Sequence, residues 1–151
     1  MMKQIKGEVV DIREETHDVK TFEIELQEPL EFTPGQYCLV AIPGNEEVEG
    51  MKRPFTFANA PQDTRDERLM ELTVKKIGEF TTAMHNLEVG DSIEIEGPRG
   101  EALNFDERVK KDVVFLAGGS GITPFMSSLR YAVNKGMKND LILVFSNRKE
   151  E

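Results

Sequence analysis

A chain of 151 residues, 38% hydrophobic and 31% charged, has enough apolar material for one full core and part of a second, which excludes a disordered or fibrous protein. Its net charge of −9 argues against a nucleic-acid partner, because phosphates require concentrated positive charge. With Cys38 as the only cysteine and His17 and His85 as the only histidines, an internal disulfide, a paired-cysteine zinc site and a four-cysteine iron–sulfur cluster are excluded, and no metal site is expected.

No apolar run reaches the length of a membrane span, and Met1-Met2-Lys3-Gln4 leads into an amphipathic segment without a hydrophobic leader. A cytoplasmic protein is expected. The first hundred residues read as short strands between turn signals. Ile5 to Ile12 alternates in part, and Phe22, Ile24 and Leu26 alternate cleanly, as a half-buried antiparallel strand requires. Thr33-Pro34-Gly35 turns the chain into a strand from Gln36 to Ile42, which Pro43-Gly44 ends. The acidic run Asn45 to Gly50 is expected to be an exposed loop. Arg53 to Ala58, Leu69 to Ile77 and Asp91 to Glu96 make three further strands, so the spacing predicts a small antiparallel, Greek-key-like β-barrel. Before the last of them, Phe80, Met84 and Leu87 recur at helical spacing with Gly90 beyond, which predicts one short helix closing an end of the barrel.

The pattern changes after Asp112. Val113 to Ala117 is continuously apolar, a glycine-rich turn follows, a helix is predicted from Pro124 to Asn134, and Leu141 to Phe145 is again continuously apolar. Apolar strands flanking a helix predict a βαβ unit in a parallel sheet covered on both faces. The division expected is a barrel over 1–105 and the first part of an α/β nucleotide-binding domain over 106–151.

Two short stretches carry the chemistry. Gly118-Gly119-Ser120-Gly121-Ile122-Thr123-Pro124 follows a buried strand and opens a helix, the setting in which backbone N–H groups hold a phosphate. It lacks the GxGxxG spacing, so the ordinary dinucleotide fingerprint is not met, and taken alone an inert tight turn is the lesser alternative. Arg53-Pro54-Phe55-Thr56 places a forked guanidinium, an aromatic face and a hydroxyl within four residues, which suit a phosphate, a flat ring and a ring nitrogen in turn.

With Arg53 to Thr56 in a barrel strand, Gly78-Glu79-Phe80-Thr81-Thr82 at a helix start and Gly118 to Pro124 after a parallel strand, the chain resembles the ferredoxin-NADP reductase family of flavoproteins. The resemblance runs from Phe32-Thr33-Pro34-Gly35-Gln36-Tyr37 through Gly97-Pro98-Arg99-Gly100 to Asn147-Arg148. It implies an FAD-binding barrel and a domain for NADH or NADPH. It assigns Arg53 to flavin phosphate, Phe55 to packing on the isoalloxazine and Thr56 to the N5 edge, with Pro54 between them. Phe55 replaces the commoner tyrosine and lacks its phenolic hydroxyl. Gly78, Phe80, Thr81 and Thr82 match the segment at the flavin pyrophosphate, and Val74 and Lys75 the strand lining the flavin; Thr81 and Thr82 can equally be helix caps. Gly118, Gly119, Ser120, Gly121, Ile122 and Pro124 face the nicotinamide dinucleotide, Thr123 also lies near the flavin, and Ser146, Asn147 and Arg148 fall near the ribose or its phosphate. The mixed charges from Arg148 to Glu151 do not distinguish NADH from NADPH.

The resemblance implies an oxidoreductase moving electrons between NAD(P)H and a one-electron acceptor, such as a ferredoxin or an oxygenase component. The alternative is a flavin-binding electron-transfer subunit fed by a partner protein. Two parallel strands and one helix leave an open edge and an apolar face. The expectation is therefore a fragment, or else a short form whose sheet a second chain completes.

Overall fold

The computed structural model describes residues 2–148, so Lys149, Glu150 and Glu151 of the terminal charge run lie outside the described residues. Six antiparallel strands form one sheet: β1 (Lys3–Thr16), β2 (Val19–Leu26), β3 (Tyr37–Ala41), β4 (Arg53–Thr56), β5 (Leu69–Lys75) and β6 (Ser92–Arg99). Their order is β4-β3-β6-β1-β2-β5, and an antiparallel bridge between Phe57 and Leu72 brings the two edges together, so the sheet curls into a nearly closed barrel.

Period-two alternation fills it. Ile5 and Val9 from β1, Phe22, Ile24 and Leu26 from β2, Val40 from β3, Met70, Leu72 and Val74 from β5, and Ile93 and Ile95 from β6 all point inward. Each large side chain withdrawn from water in this way stabilises the barrel by about 1.5–3 kcal/mol. The first hairpin is longer than its apolar pattern suggests. Arg13 to Thr16 are too polar to read as a core strand, yet they pair with Thr21, Lys20 and Val19 across the turn at His17 and Asp18. Cross-strand contact extends the pairing beyond the part that burial explains.

Helix α1 (Glu79–His85) turns Phe80, Ala83 and Met84 onto the barrel core. His85 is buried beneath it, edge-on to Phe22, and its Nε2 donates to Val74 O at 2.8 Å. A wide helical turn over Asp63–Glu67, closed by Arg68 in the left-handed conformation at φ 61°, has no counterpart in the sequence reading. Its one buried residue, Thr64, gives no periodic signal.

The second unit consists of β7 (Val113–Gly118), helix α2 (Thr123–Lys135) and β8 (Leu141–Ser146), with β7 and β8 parallel and in register from Val113–Leu141 to Gly118–Ser146. α2 ends at Gly136, φ 62°, as a left-handed C-terminal residue should. Phe105, Phe115 and Ala132 are buried between helix and sheet. Coverage on both faces, expected from the apolar runs, is not observed among the described residues. Val114, Leu116, Ile142 and Val144 face outward at 52–71% exposure, because alternation sends every second residue away from α2.

Candidate cofactor site

β4 is an edge strand, which is where Pro54 can stand without removing a ladder hydrogen bond. The two cations at its start have different fates. Lys52 Nζ is held by Glu96 Oε2 at 2.8 Å, whereas Arg53 donates to Lys52 O at 3.0 Å and lies near Met51 Sδ. Among the described arginines, only Arg53 and Arg148 have no carboxylate at ion-pair distance; the other arginines are matched by acidic groups. In a chain with 28 acidic residues, an exposed guanidinium left with neutral partners is available to an anion. Glu96, clamped first by Lys52 and then by Arg99, has its carboxyl pulled down to about 2.

Arg53, Phe55 and Phe80 come together. The guanidinium carbon lies 6.0 Å from the centre of the Phe80 ring, and the Phe55 and Phe80 rings stack at 6.1 Å with 28° between their planes. Phe80 is buried and Phe55 half-buried against the core, so the two rings form a fixed apolar wall beside the charge. Thr56 is half-buried and pairs with Tyr37. By the strand's pleat it stands on the face opposite Arg53 and Phe55.

At the start of α1 the Thr81 hydroxyl accepts from the backbone N–H groups of Ile77 and Gly78, both at 2.9 Å, and donates to Gly78 O. Thr81 thus acts as a cap, while Thr82 is exposed. The first helical N–H to find a carbonyl is that of Thr82, bonded to Gly78 O, so those of Glu79, Phe80 and Thr81 have no partner within the helix. Gly78 is extended at φ −168°, and a side chain there would meet no atom within 4 Å. Neither conformation nor packing requires a glycine, which leaves bare backbone as its contribution. Gly35 is the opposite case: at φ +96°, a Cβ would lie 2.0 Å from Leu103 O.

β5 offers less side-chain chemistry. The Val74 side chain is fully buried and its carbonyl accepts from His85, while Lys75 Nζ is paired with Asp18 at 3.5 Å. Asp18, bonded first by the Thr16 hydroxyl and then attracted by Lys75, is held below the usual carboxylate range.

The glycine turn sits at the carboxyl end of β7 beside β5, and the pairing of Gly118 with Ser146 puts Ser146, Asn147 and Arg148 next to it. Ser120, Gly121, Ser146, Asn147 and Arg148 are exposed; Thr123 and Pro124 are buried, with the Thr123 hydroxyl donating to Ser120 O at 2.8 Å. Gly119 needs its left-handed φ of +53°, but Gly121 has open space around it and no such constraint. A bare, exposed turn at the carboxyl ends of parallel strands is the usual seat of a nucleotide phosphate.

Residues from 6 to 103 match the oxidoreductase FAD-binding domain, and 115–151 match the oxidoreductase NAD-binding domain. The chain belongs to the oxidoreductase FAD-binding family. Its residues fit that cofactor: a cation without a carboxylate, an aromatic wall and a helix start kept bare by a glycine that the fold does not need. The reductase component, ferredoxin--NAD(P)(+), of the naphthalene 1,2-dioxygenase/salicylate 5-hydroxylase systems of Ralstonia sp is 34% identical over 97% of this chain and 43% of the relative. A probable electron transfer subunit of dihydroorotate dehydrogenase B (NAD(+)) from Methanocella arvoryzae is 35% identical over 82% of this chain and 41% of the relative. Among solved structures, the ferredoxin reductase in carbazole 1,9a-dioxygenase superimposes with a TM-score of 0.84 at 24% identity, over 97% of this chain and 43% of that one. The chain thus spans under half the length of these relatives, and its barrel and parallel pair have their fold.

Sequence reasoning missed Asn59, Glu71, Ser127 and Arg130, which join the FAD-binding barrel to α2. Ser127 Oγ donates to Asn59 O at 2.7 Å, and Arg130 donates to Ala58 O at 2.9 Å and to Glu71. Burial alone would push the Glu71 carboxyl up; hydrogen bonds from Arg13 and Arg130, together with their charges, outweigh it and hold the group below the usual range. The available signal was the recurrence of polar residues at 123, 127 and 130 along one helix face.

Proposed function

We propose that this chain binds FAD across β4 and the start of α1 and receives NADH or NADPH at the Gly118–Thr123 turn, within a protein that passes electrons between the nucleotide and a one-electron acceptor such as an iron–sulfur protein. The observation that carries this reading is Arg53, a strand-borne guanidinium without a carboxylate, beside the Phe55–Phe80 wall and the bare helix start. Bound FAD supplies the exchange between two-electron and one-electron steps.

The chain's own groups bind and orient. Arg53 and the free N–H groups of Glu79 and Phe80 offer two anion sites, which suits a pyrophosphate better than a single phosphate. The Phe55–Phe80 wall keeps water from one side; Thr56 is assigned to tuning the flavin N5 on the family resemblance alone, since its side chain stands on the strand face opposite Arg53 and Phe55. Val74 and Lys75 contribute backbone rather than side chain. Gly118 to Pro124, with Ser146, Asn147 and Arg148, hold the dinucleotide. The relative from Methanocella arvoryzae, described as an electron transfer subunit, favours a second reading in which a partner protein supplies the electrons.

The compartment assigned is the cytoplasm; Cys38, the one thiol, is fully buried and pushed up to about 12 by desolvation, so it is inert in any compartment. No described helix is long and apolar enough to cross a membrane. The outward face of β7 and β8 is the surface that a second chain would cover. Titration of apoprotein with FAD and FMN tests the central reading. FAD is expected to bind more tightly, and equal affinity would remove the two-anion-site assignment. Reduction of the bound flavin by NADH or NADPH alone is expected to be very slow in a chain that spans under half of its relatives, and rapid anaerobic bleaching would argue against the partner-fed reading.

A further inference from the structure

The seam between the barrel and α2 is built from residues that hold neither proposed cofactor. On the barrel side, Ala58 and Asn59 follow directly from the strand that carries Arg53 to Thr56. On the other side, Ser127 and Arg130 lie on the same helix face as Thr123, the residue that closes the glycine turn. Fully buried Ser127 donates to Asn59 O at 2.7 Å, and Arg130 Nη1 is shared between Ala58 O at 2.9 Å and Glu71 Oε2 at 2.5 Å.

Glu71 is itself immobilised. Its N–H donates to Asn59 Oδ1 at 3.0 Å, its carbonyl accepts from the Ala58 N–H at 3.0 Å, and its Oε1 takes Arg13 Nη2 at 2.8 Å. A carboxylate fixed by its own backbone and by a second guanidinium cannot follow Arg130 if the helix swings, so the arginine has one seat. Arg130 lies about 10 Å along the helix from Thr123. A tilt about this seat therefore displaces the glycine turn relative to the flavin strand. Displacement of reacting groups by about 1 Å can cost on the order of a hundredfold in rate.

We propose that Arg130, seated on Glu71 and the Ala58 carbonyl, is a positioning residue that sets how the glycine-rich turn faces the flavin strand. Its bearing on electron transfer rests on the functional reading above, but its geometry does not. The test uses the full 151-residue chain with nitroxide labels at exposed Glu88→Cys and, within α2, exposed Asn134→Cys, buried Cys38 remaining unlabelled. Pulsed electron spin resonance reads the barrel-to-α2 distance, and FAD titration is run on the same samples.

Arg130→Met is expected to broaden or shift the distance distribution while FAD affinity is retained. Arg130→Lys, which keeps the charge but loses the fork, should fall between this variant and the parent. A distribution for Arg130→Met that coincides with the parent overturns the proposal. Distance change accompanied by loss of FAD affinity also overturns it, because Arg130 would then belong to the flavin site. If Arg130→Met does not fold, Glu71→Gln with the same labels is read by the same criteria. Failure of the parent chain to bind FAD, with a normal response of the distance to Arg130→Met, would remove the functional reading and leave the seam assignment standing.

Discussion

Arg53 is available because its neighbour is not. Glu96 engages Lys52 and leaves the adjacent guanidinium on backbone oxygen, so the next residue along the chain has a different chemical role. A charge-assisted hydrogen bond contributes about 1.5–3 kcal/mol, so Arg53→Ala should weaken FAD binding by roughly one to two powers of ten, as read by flavin fluorescence titration. Its melting temperature should stay near that of the parent, since an exposed arginine without an ion pair supports little of the fold. Unchanged affinity would move the phosphate site elsewhere. Thr56→Val makes the complementary case. FAD should remain bound because its anion contacts are untouched, while the flavin reduction potential changes; a spectroelectrochemical titration with an unaltered potential would take Thr56 off the site.

Among the elements, the start of α1 and the turn at Gly35 show two reasons for a glycine. Gly78→Ala puts its methyl into open space on an extended backbone, so thermal unfolding should be unaffected, whereas FAD affinity should fall because the methyl crowds the bare N–H groups. Gly35→Ala forces a side chain into the left-handed region and against Leu103 O, at a cost of about 1–3 kcal/mol for the backbone conformation before the clash is counted. Urea denaturation should show a lower midpoint for Gly35→Ala and none for Gly78→Ala. A loss of stability in the Gly78 variant would make that glycine structural.

For the whole molecule, the seam carries a pH dependence whose sign follows from Glu71. Its folded carboxyl lies below the ordinary value of 4.5, so its contribution to stability is full above 4.5 and is lost as pH falls below that value and through the folded pKa. Arg130 then loses its carboxylate, whereas Arg13 keeps Asp11, Glu15 and Glu23 within ion-pair distance, so contact between α2 and the barrel should loosen first. The protection of α2 amides, taken as exchange relative to the intrinsic rate at each pH, is expected to fall between pH 5 and acid, by roughly the factor expected for one protonation-linked group, and Glu71→Gln should flatten that dependence. Exchange in α2 with the same acid dependence in the variant would assign the effect to another carboxylate, with Glu96 the first to examine because its own release extends down to about 2.

The kinds of element were legible from the chain alone, because alternation along β2 and β5 and helical spacing in α1 follow from local geometry. The family was legible too, since Arg53 to Thr56, Gly78 to Thr82 and Gly118 to Pro124 are contiguous stretches whose chemistry survives being read as strings. Only the tertiary structure decided which of Lys52 and Arg53 is left without a carboxylate, a choice made by a residue 44 positions from Lys52. It also withdrew the Val74 side chain into the core and committed the Thr81 hydroxyl to its own loop. The Glu71–Arg130 contact joins groups 59 positions apart across two units, and neither residue carries a local signal of the other. Burial and ion pairing are properties of neighbours in space, and strand order β4-β3-β6-β1-β2-β5 makes those neighbours from distant parts of the chain.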